Sequence, residues 1–317
     1  SEMCIRDRYH TVSSPADLLK AMRSVLVEVN QVGGGWTAPG LPLSGVQSGT
    51  FLNQVYVGLL KPALSPRWSG NLKHYRLGVQ AGAEDFQWLD SQGRAAVDPL
   101  SRLFRDESSS YWTHDSDYWR FACSDAGAGA VDCGHPVAVS DAPDGGVVAK
   151  GGAAQMLREA QAARHLYTCS PVAGCRSGDV LGKTGDTRFE SANAAIGASA
   201  LKAADTAERE AIIAWVRGVD NADVPERRAG EVRPSVWGDA GHARPLAIHY
   251  NRNAKGCEDK AVTQQDVVVF HAGNEGVLHA IKAGHDEPDA GSELWGFIPP
   301  EAWPGFKRLR AGVPAIN

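Results

Sequence analysis

Four histidines stand close together late in the chain, His242, His249, His271 and His279. Imidazoles at this density are the material of a metal site or a proton relay. No two of these four are spaced four apart, which would put both on one helix face, so their spacing does not favour a metal cluster. His271 and His279 fall in neighbouring strand-like runs, where a histidine with satisfied ring nitrogens is ordinary. Between them, Asn274-Glu275-Gly276 reads as a tight hairpin turn in which Asn and Gly take positive φ; read functionally, it would mark a ligand-facing rim. His285-Asp286-Glu287-Pro288-Asp289, with Glu293, offers hard oxygen ligands for calcium. It lacks the alternating ligands and fixed glycine of a known calcium loop, and so reads as a solvated loop. For catalysis there is no GxSxG, no Cys/His nucleophile signature, no P-loop and no GxGxxG turn. Arg67-Trp68 could stack as a cation–π pair, although an aromatic-capped loop is the plainer account. No catalytic residue, cofactor site or metal site is assigned, and the chain is read as a non-enzyme.

The cysteines carry a different chemistry. Cys123 and Cys133 bracket a Gly/Ala loop, and Cys169 and Cys175 bracket CSPVAGC. Neither pair has the spacing of a zinc site, so two local disulfides and an oxidising compartment are expected. Cys257 is left unpaired or joined to something outside the chain. The 317 residues carry a net charge of −5 with scattered basic residues, which gives no footprint for nucleic acid or an anionic membrane. No apolar run approaches the roughly 18 residues of a membrane span. Residues 1–10, SEMCIRDRYH, have no apolar periodicity and read as a non-native leader, which also sets Cys4 aside.

The elements that must position these residues are mostly short strands. Residues 266–299 hold three apolar runs, 266–271, 277–282 and 293–298, separated by turn residues. They predict an antiparallel meander, most simply one β-propeller blade. Propellers need about four to eight blades of roughly 40–45 residues. The ring cannot close within this sequence, so the expected blade has an open edge at Ile298 and a protease-sensitive segment after Pro299. Upstream, Ser14-Pro15-Ala16-Asp17 starts a helix whose stripe of Leu18, Leu19, Met22, Val25, Leu26 and Val29 ends at Gly33-Gly34-Gly35. Residues 36–148 read as β-dominated, with strands at 54–59, 72–77 and 86–90 and a hairpin connection through PALSPRWSGN. Helices are predicted at 153–164, with Ala154, Leu157, Ala160 and Ala163 inward, and at 206–217, with Asp205 and Glu208 in capping-box relation. A strand is expected at 165–168, and 220–231 is a charged linker. The expected organisation is the leader 1–10, a helix leaving an upstream domain at 11–35, a β-rich domain with two short helices at 36–231, and the start of a propeller at 232–317. The fold class is mixed α+β and β-rich, an irregular strand-and-helix domain followed by the first blade or blades of an incomplete β-propeller.

Five segments in order resemble the PilY family of type IV pilus biogenesis and tip-adhesin proteins. Arg67-Trp68-Ser69-Gly70-Asn71-Leu72-Lys73 with Tyr75 resembles its RWxGNLK-Y signature. Gly151-Gly152-Ala153-Ala154 and Ala214-Trp215-Val216-Arg217-Gly218 follow. Gly238-Asp239-Ala240-Gly241-His242-Ala243-Arg244-Pro245 resembles GDxxHSxP, and Ala272-Gly273-Asn274-Glu275-Gly276-Val277-Leu278-His279-Ala280 resembles GxNDGxLHAF. The resemblance implies an exported protein with a von Willebrand type A domain and a C-terminal quinoprotein-like propeller that binds calcium. This chain lacks the calcium loop. The implied role is pilus assembly and tip adhesion, with minor pilins and a host or abiotic surface as partners. The implied location is the periplasm, outer membrane or cell surface. The structural or interaction residues carried by the motifs are Arg67, Trp68, Gly70, Asn71, Lys73, Gly238, Asp239, His242, Pro245, Asn274, Glu275, Gly276, His279 and Trp295. Gly291-Ser292-Glu293-Leu294-Trp295 also matches the blade motif of pyrroloquinoline-quinone dehydrogenases. That motif leaves such a dehydrogenase, or a generic surface structural protein, as alternatives.

Overall fold

A computed structural model describes residues 36–40, 53–83, 85–122, 139–170, 175, 181–183, 187–223, 226, 230–239, 243–250, 267–284, 287 and 289–313. The expected leader, the 14–33 helix, the Cys123–Cys133 pair, Cys257 and His242 lie outside these residues. The chain is a mixed α+β fold rich in strands. A first sheet is an antiparallel meander in the order β1-β2-β3-β4, formed by β1 (Trp36–Gly40), β2 (Gln54–Lys61), β3 (Ser69–Val79) and β4 (Phe86–Leu89). PALSPRWSGN is the expected hairpin connection, since Lys61 pairs with Ser69. In β2 every residue but the last is buried, which its run of Val, Tyr and Leu allows.

The second sheet has five strands in the order β5-β9-β8-β7-β6. They are β5 (Leu166–Thr168), β6 (Leu246–His249), β7 (Val267–Ala272), β8 (Leu278–Ala283) and β9 (Glu293–Ile298). Strands β7 to β9 form the predicted antiparallel meander, and β6, which was not expected, extends it by pairing with β7. The edge at Ile298 is not open. Strand β5 pairs in parallel with β9, Thr168 opposite Ile298, and Ile298 is fully buried. Nor does the chain run free after Pro299. A 3-10 turn (Pro300–Ala302) leads into α3 (Trp303–Ala311), which anchors itself through buried Trp303 and Phe306. A tail with two large aromatics lowers its free energy by covering the sheet end.

Two further helices complete the described architecture. Helix α2 (Thr206–Val216) begins as predicted, with the Asp205 carboxylate accepting from Glu208 N at 2.8 Å. Helix α1 (Gly152–Glu159) is shorter than expected. It buries Ala153, Ala154 and Leu157, but Ala160 and Ala163 are exposed, because the chain tightens into a 3-10 turn (Gln161–Ala163) before β5. Tyr56, Leu72, Ala153 and Leu157 share one apolar cluster with Val236, Trp237, Val267, Val269 and Ile281. The two sheets are therefore buried against common side chains across the division between 36–231 and 232–317. A second cluster joins Leu166, Phe189 and Ile212 to Ile298, Trp303 and Phe306.

Candidate functional site

The polar residues of β3 point into the interior, where an unpartnered amide or ammonium would cost several kcal/mol. Two of them, Asn71 and Lys73, find their partners in the loop before α1. Asn71 Nδ2 donates to the carbonyls of Val148, Lys150 and Gly151 at 2.8, 3.1 and 3.0 Å. Asn71 Oδ1 accepts from Leu72 N and Ala154 N at 2.8 and 2.9 Å. Lys73 Nζ lies 3.0 Å from Asp144 Oδ2 and donates to the carbonyls of Asp144, Gly145 and Val147, with both side chains fully buried. Burial pulls the Lys73 pKa down, while the Asp144 charge opposes that pull. Asp144 in turn accepts from Ser110 N, Ser110 Oγ and Thr113 Oγ1. A second buried pair, Arg158 Nη2 to Asp141 Oδ1 at 2.5 Å, holds the start of α1, where Asp141 also accepts from Gly151 N at 2.8 Å. Burial raises the Asp141 pKa, but Arg158 and the hydrogen bonds outweigh it and hold it low. Gly152 sits here with φ of 57°, and an added Cβ would meet the Leu72 carbonyl at 2.8 Å.

The other end of β3 joins the second sheet. Gly70 N donates to Trp237 O at 3.1 Å and Ser69 bridges to Gly238. A Cβ on Gly70 would lie 1.8 Å from the Gly238 carbonyl oxygen, so no larger residue fits. Next to Gly238, Asp239 is tied to the β7–β8 turn. Asn274 N donates to Asp239 O at 2.8 Å, and Asn274 Nδ2 donates to Asp239 Oδ1 at 2.7 Å. The turn takes positive φ at Gly276 (84°) but not at Asn274, contrary to expectation, because Asn274 uses its amide and backbone to hold Asp239. Glu275 does more than fill a turn position. Its Oε1 lies 2.7 Å from His279 Nε2, while His279 Nδ1 lies 2.6 Å from Glu293 Oε1. Arg164 closes the chain with two bonds to Glu293, 2.6 and 2.9 Å. The Trp237 ring stacks on His279 at 4.0 Å.

Two carboxylates on one imidazole require both ring nitrogens to donate, which makes His279 an imidazolium. Burial opposes that charge, and the bonds to Glu275 and Glu293 outweigh it, so the pKa of His279 is raised. Glu293 is likewise penalised by burial but held well below the usual carboxylate range by Arg164 and His279. His271, directly opposite His279 in the register, is pushed the other way, down to about 4, by burial and the His279 charge. It is a neutral, buried ring beside a charged one.

The remaining predicted positions divide clearly. Arg67 stacks over Trp215, 5.6 Å from its ring centroid, and not on Trp68, whose indole N–H donates to Ala63 O at 2.8 Å. Pro245 is buried, and Trp295 is half-buried beside Phe270 on the opposite face of the sheet. Cys169 and Cys175 form the expected disulfide. Glu293 belongs to the buried chain and not to a solvated loop. Asp289 is bound by Lys282 Nζ at 2.6 Å, and among the described residues no group of three metal ligands comes together. Arg164, Glu293's partner, was not marked by any motif. Arg158, Asp141 and Asp144 were equally silent in the sequence, because isolated charges reveal nothing of their burial.

Comparison with protein-family models, with curated proteins and with solved structures finds no match.

Proposed function

We propose that this chain is a non-catalytic part of a PilY-like exported protein that acts in type IV pilus assembly and in attachment at the pilus tip, with minor pilins and a host or abiotic surface as partners. One observation carries the reading. The five resembling segments, scattered between residues 67 and 280, meet in one interior: Asn71 on Gly151, Arg67 on Trp215, Gly70 on Gly238, and Asp239 on Asn274. These contacts join the five segments into one packed unit, and the resemblance rests on that unit as a whole. Lys73 with Asp144 and Arg158 with Asp141 are buried charges paired with one another, which suits a module that binds through its exterior better than one that turns over a substrate. The Cys169–Cys175 bridge supports a location outside the reducing cytosol.

In the same reading, β6 to β9 are the opening blade of a quinoprotein-like propeller. Leu246 and Ile248 are exposed and Phe270 and Trp295 half-buried on the face turned away from the core, as a blade awaiting a neighbour requires. Deletion of the gene is expected to abolish surface pili or attachment, scored by electron microscopy and an adhesion assay. Normal piliation together with normal adhesion overturns the proposal.

A further inference from the structure

Arg67 and Arg233 approach the indole of Trp215, their guanidinium carbons 5.6 and 4.0 Å from its ring centroid. Arg67 also ion-pairs with Glu226 Oε1 and donates to the Ser235 carbonyl. Arg233 is nearly completely buried, 2% exposed, yet only its Nη2 is used, donating to Trp215 O at 2.9 Å. Its Nε and Nη1 have no hydrogen-bond partner. The nearest acid to Nη1 is the same Glu226 oxygen, at 4.0 Å, beyond hydrogen-bond reach. A guanidinium cannot shed its charge, so its unpaired N–H groups call for an anion. Burial and the Arg67 charge both weigh against the Arg233 cation, and Glu226 only partly offsets them. Glu226 is one-third exposed, so the carboxylate that serves both arginines is also the part of the cluster open to solvent.

We propose that Arg67, Arg233 and Trp215 form a carboxylate-receiving site, which Glu226 fills from within the chain and which an acidic side chain of a partner protein fills in its place. The planar fork of each guanidinium is suited to a carboxylate, and the Trp215 face fixes both forks. The inference stands apart from the pilus reading, because it rests on an incompletely paired buried cation and not on any resemblance.

The test is calorimetric titration of the 317-residue chain with tetraglutamate, with tetraglutamine as control at the same ionic strength. Glu226→Ala and Glu226→Gln remove the internal competitor and should bind tetraglutamate at least tenfold more tightly than wild type. Arg67→Gln added to Glu226→Ala should abolish that gain. Melting midpoints give a second readout that does not depend on the arginine variant folding. Sodium acetate should raise the midpoint of Glu226→Ala above its value in equal sodium chloride, and should leave wild type unchanged. Equal affinity in wild type and both Glu226 variants, binding of tetraglutamine as strong as that of tetraglutamate, or no acetate effect on Glu226→Ala each overturns the proposal.

Discussion

His279 and His271 face each other across β7 and β8 and titrate in opposite senses. For His279 the folded pKa lies above the ordinary 6.5, so folding favours its proton. That stabilisation is complete below pH 6.5 and is lost as pH rises through the folded value. For His271 the folded pKa is about 4, so below pH 6.5 protons bind the unfolded chain first and stability falls until pH reaches about 4. Glu293, whose pKa is lowered from the ordinary 4.5, adds a further loss as pH falls below that value. The melting midpoint is therefore expected to peak near pH 6.5 and decline on both sides, each pKa unit corresponding to about 1.4 kcal/mol. His279→Gln should flatten the alkaline limb, and His271→Gln the limb between 6.5 and 4. A wild-type midpoint that stays level from pH 6.5 to 9 contradicts the assignment of His279 as a buried imidazolium. Sequence alone placed His271 and His279 on adjacent strands, but not the partners that separate their behaviour. Glu275 is four residues from His279, whereas Glu293 reaches it from β9 and is itself held by Arg164, two residues before β5, which no spacing announces.

At the scale of elements, local patterns carried what local energetics decide. The meander β7 to β9 follows from short apolar runs and turn residues, and the start of α2 from Asp205 and Glu208. The parallel pairing of β5 with β9 was not legible, because strands more than a hundred residues apart share no turn that fixes their register. The same holds for β3 and the loop before α1, which are joined mainly by side chains. Asn71 is the test of that joint, since one amide serves three carbonyls and two backbone donors. Asn71→Ala leaves these groups without their partner and should cost about 2–4 kcal/mol, with new proteolysis around residues 145–152. Asn71→Asp should cost more than Asn71→Ala, because it sets a carboxylate against three carbonyl oxygens. Denaturant unfolding of the three proteins checks the order; an Asp variant as stable as wild type contradicts the clamp.

Across the whole molecule, the two sheets share one apolar cluster and are stitched where β3 passes the 237–239 segment. Chain separation at residue 231 would expose that cluster on both sides, so 36–231 and 232–317 should not fold when produced apart. Intact, the protein should unfold in a single calorimetric transition. Gly70 is the position on which this unity bears most heavily, for its missing side chain is what lets β3 touch Gly238. Substitution there must move backbone against backbone, at a cost of about 3 kcal/mol or more. Gly305 in α3 is the matched control, since a Cβ there meets nothing and Ala should leave stability unchanged or slightly raised. The most direct measurement is differential scanning calorimetry of wild type, Gly70→Ala and Gly305→Ala. The fold described above predicts one transition for all three, lowered as a whole only in Gly70→Ala. A second transition persisting at the wild-type temperature in Gly70→Ala would contradict it.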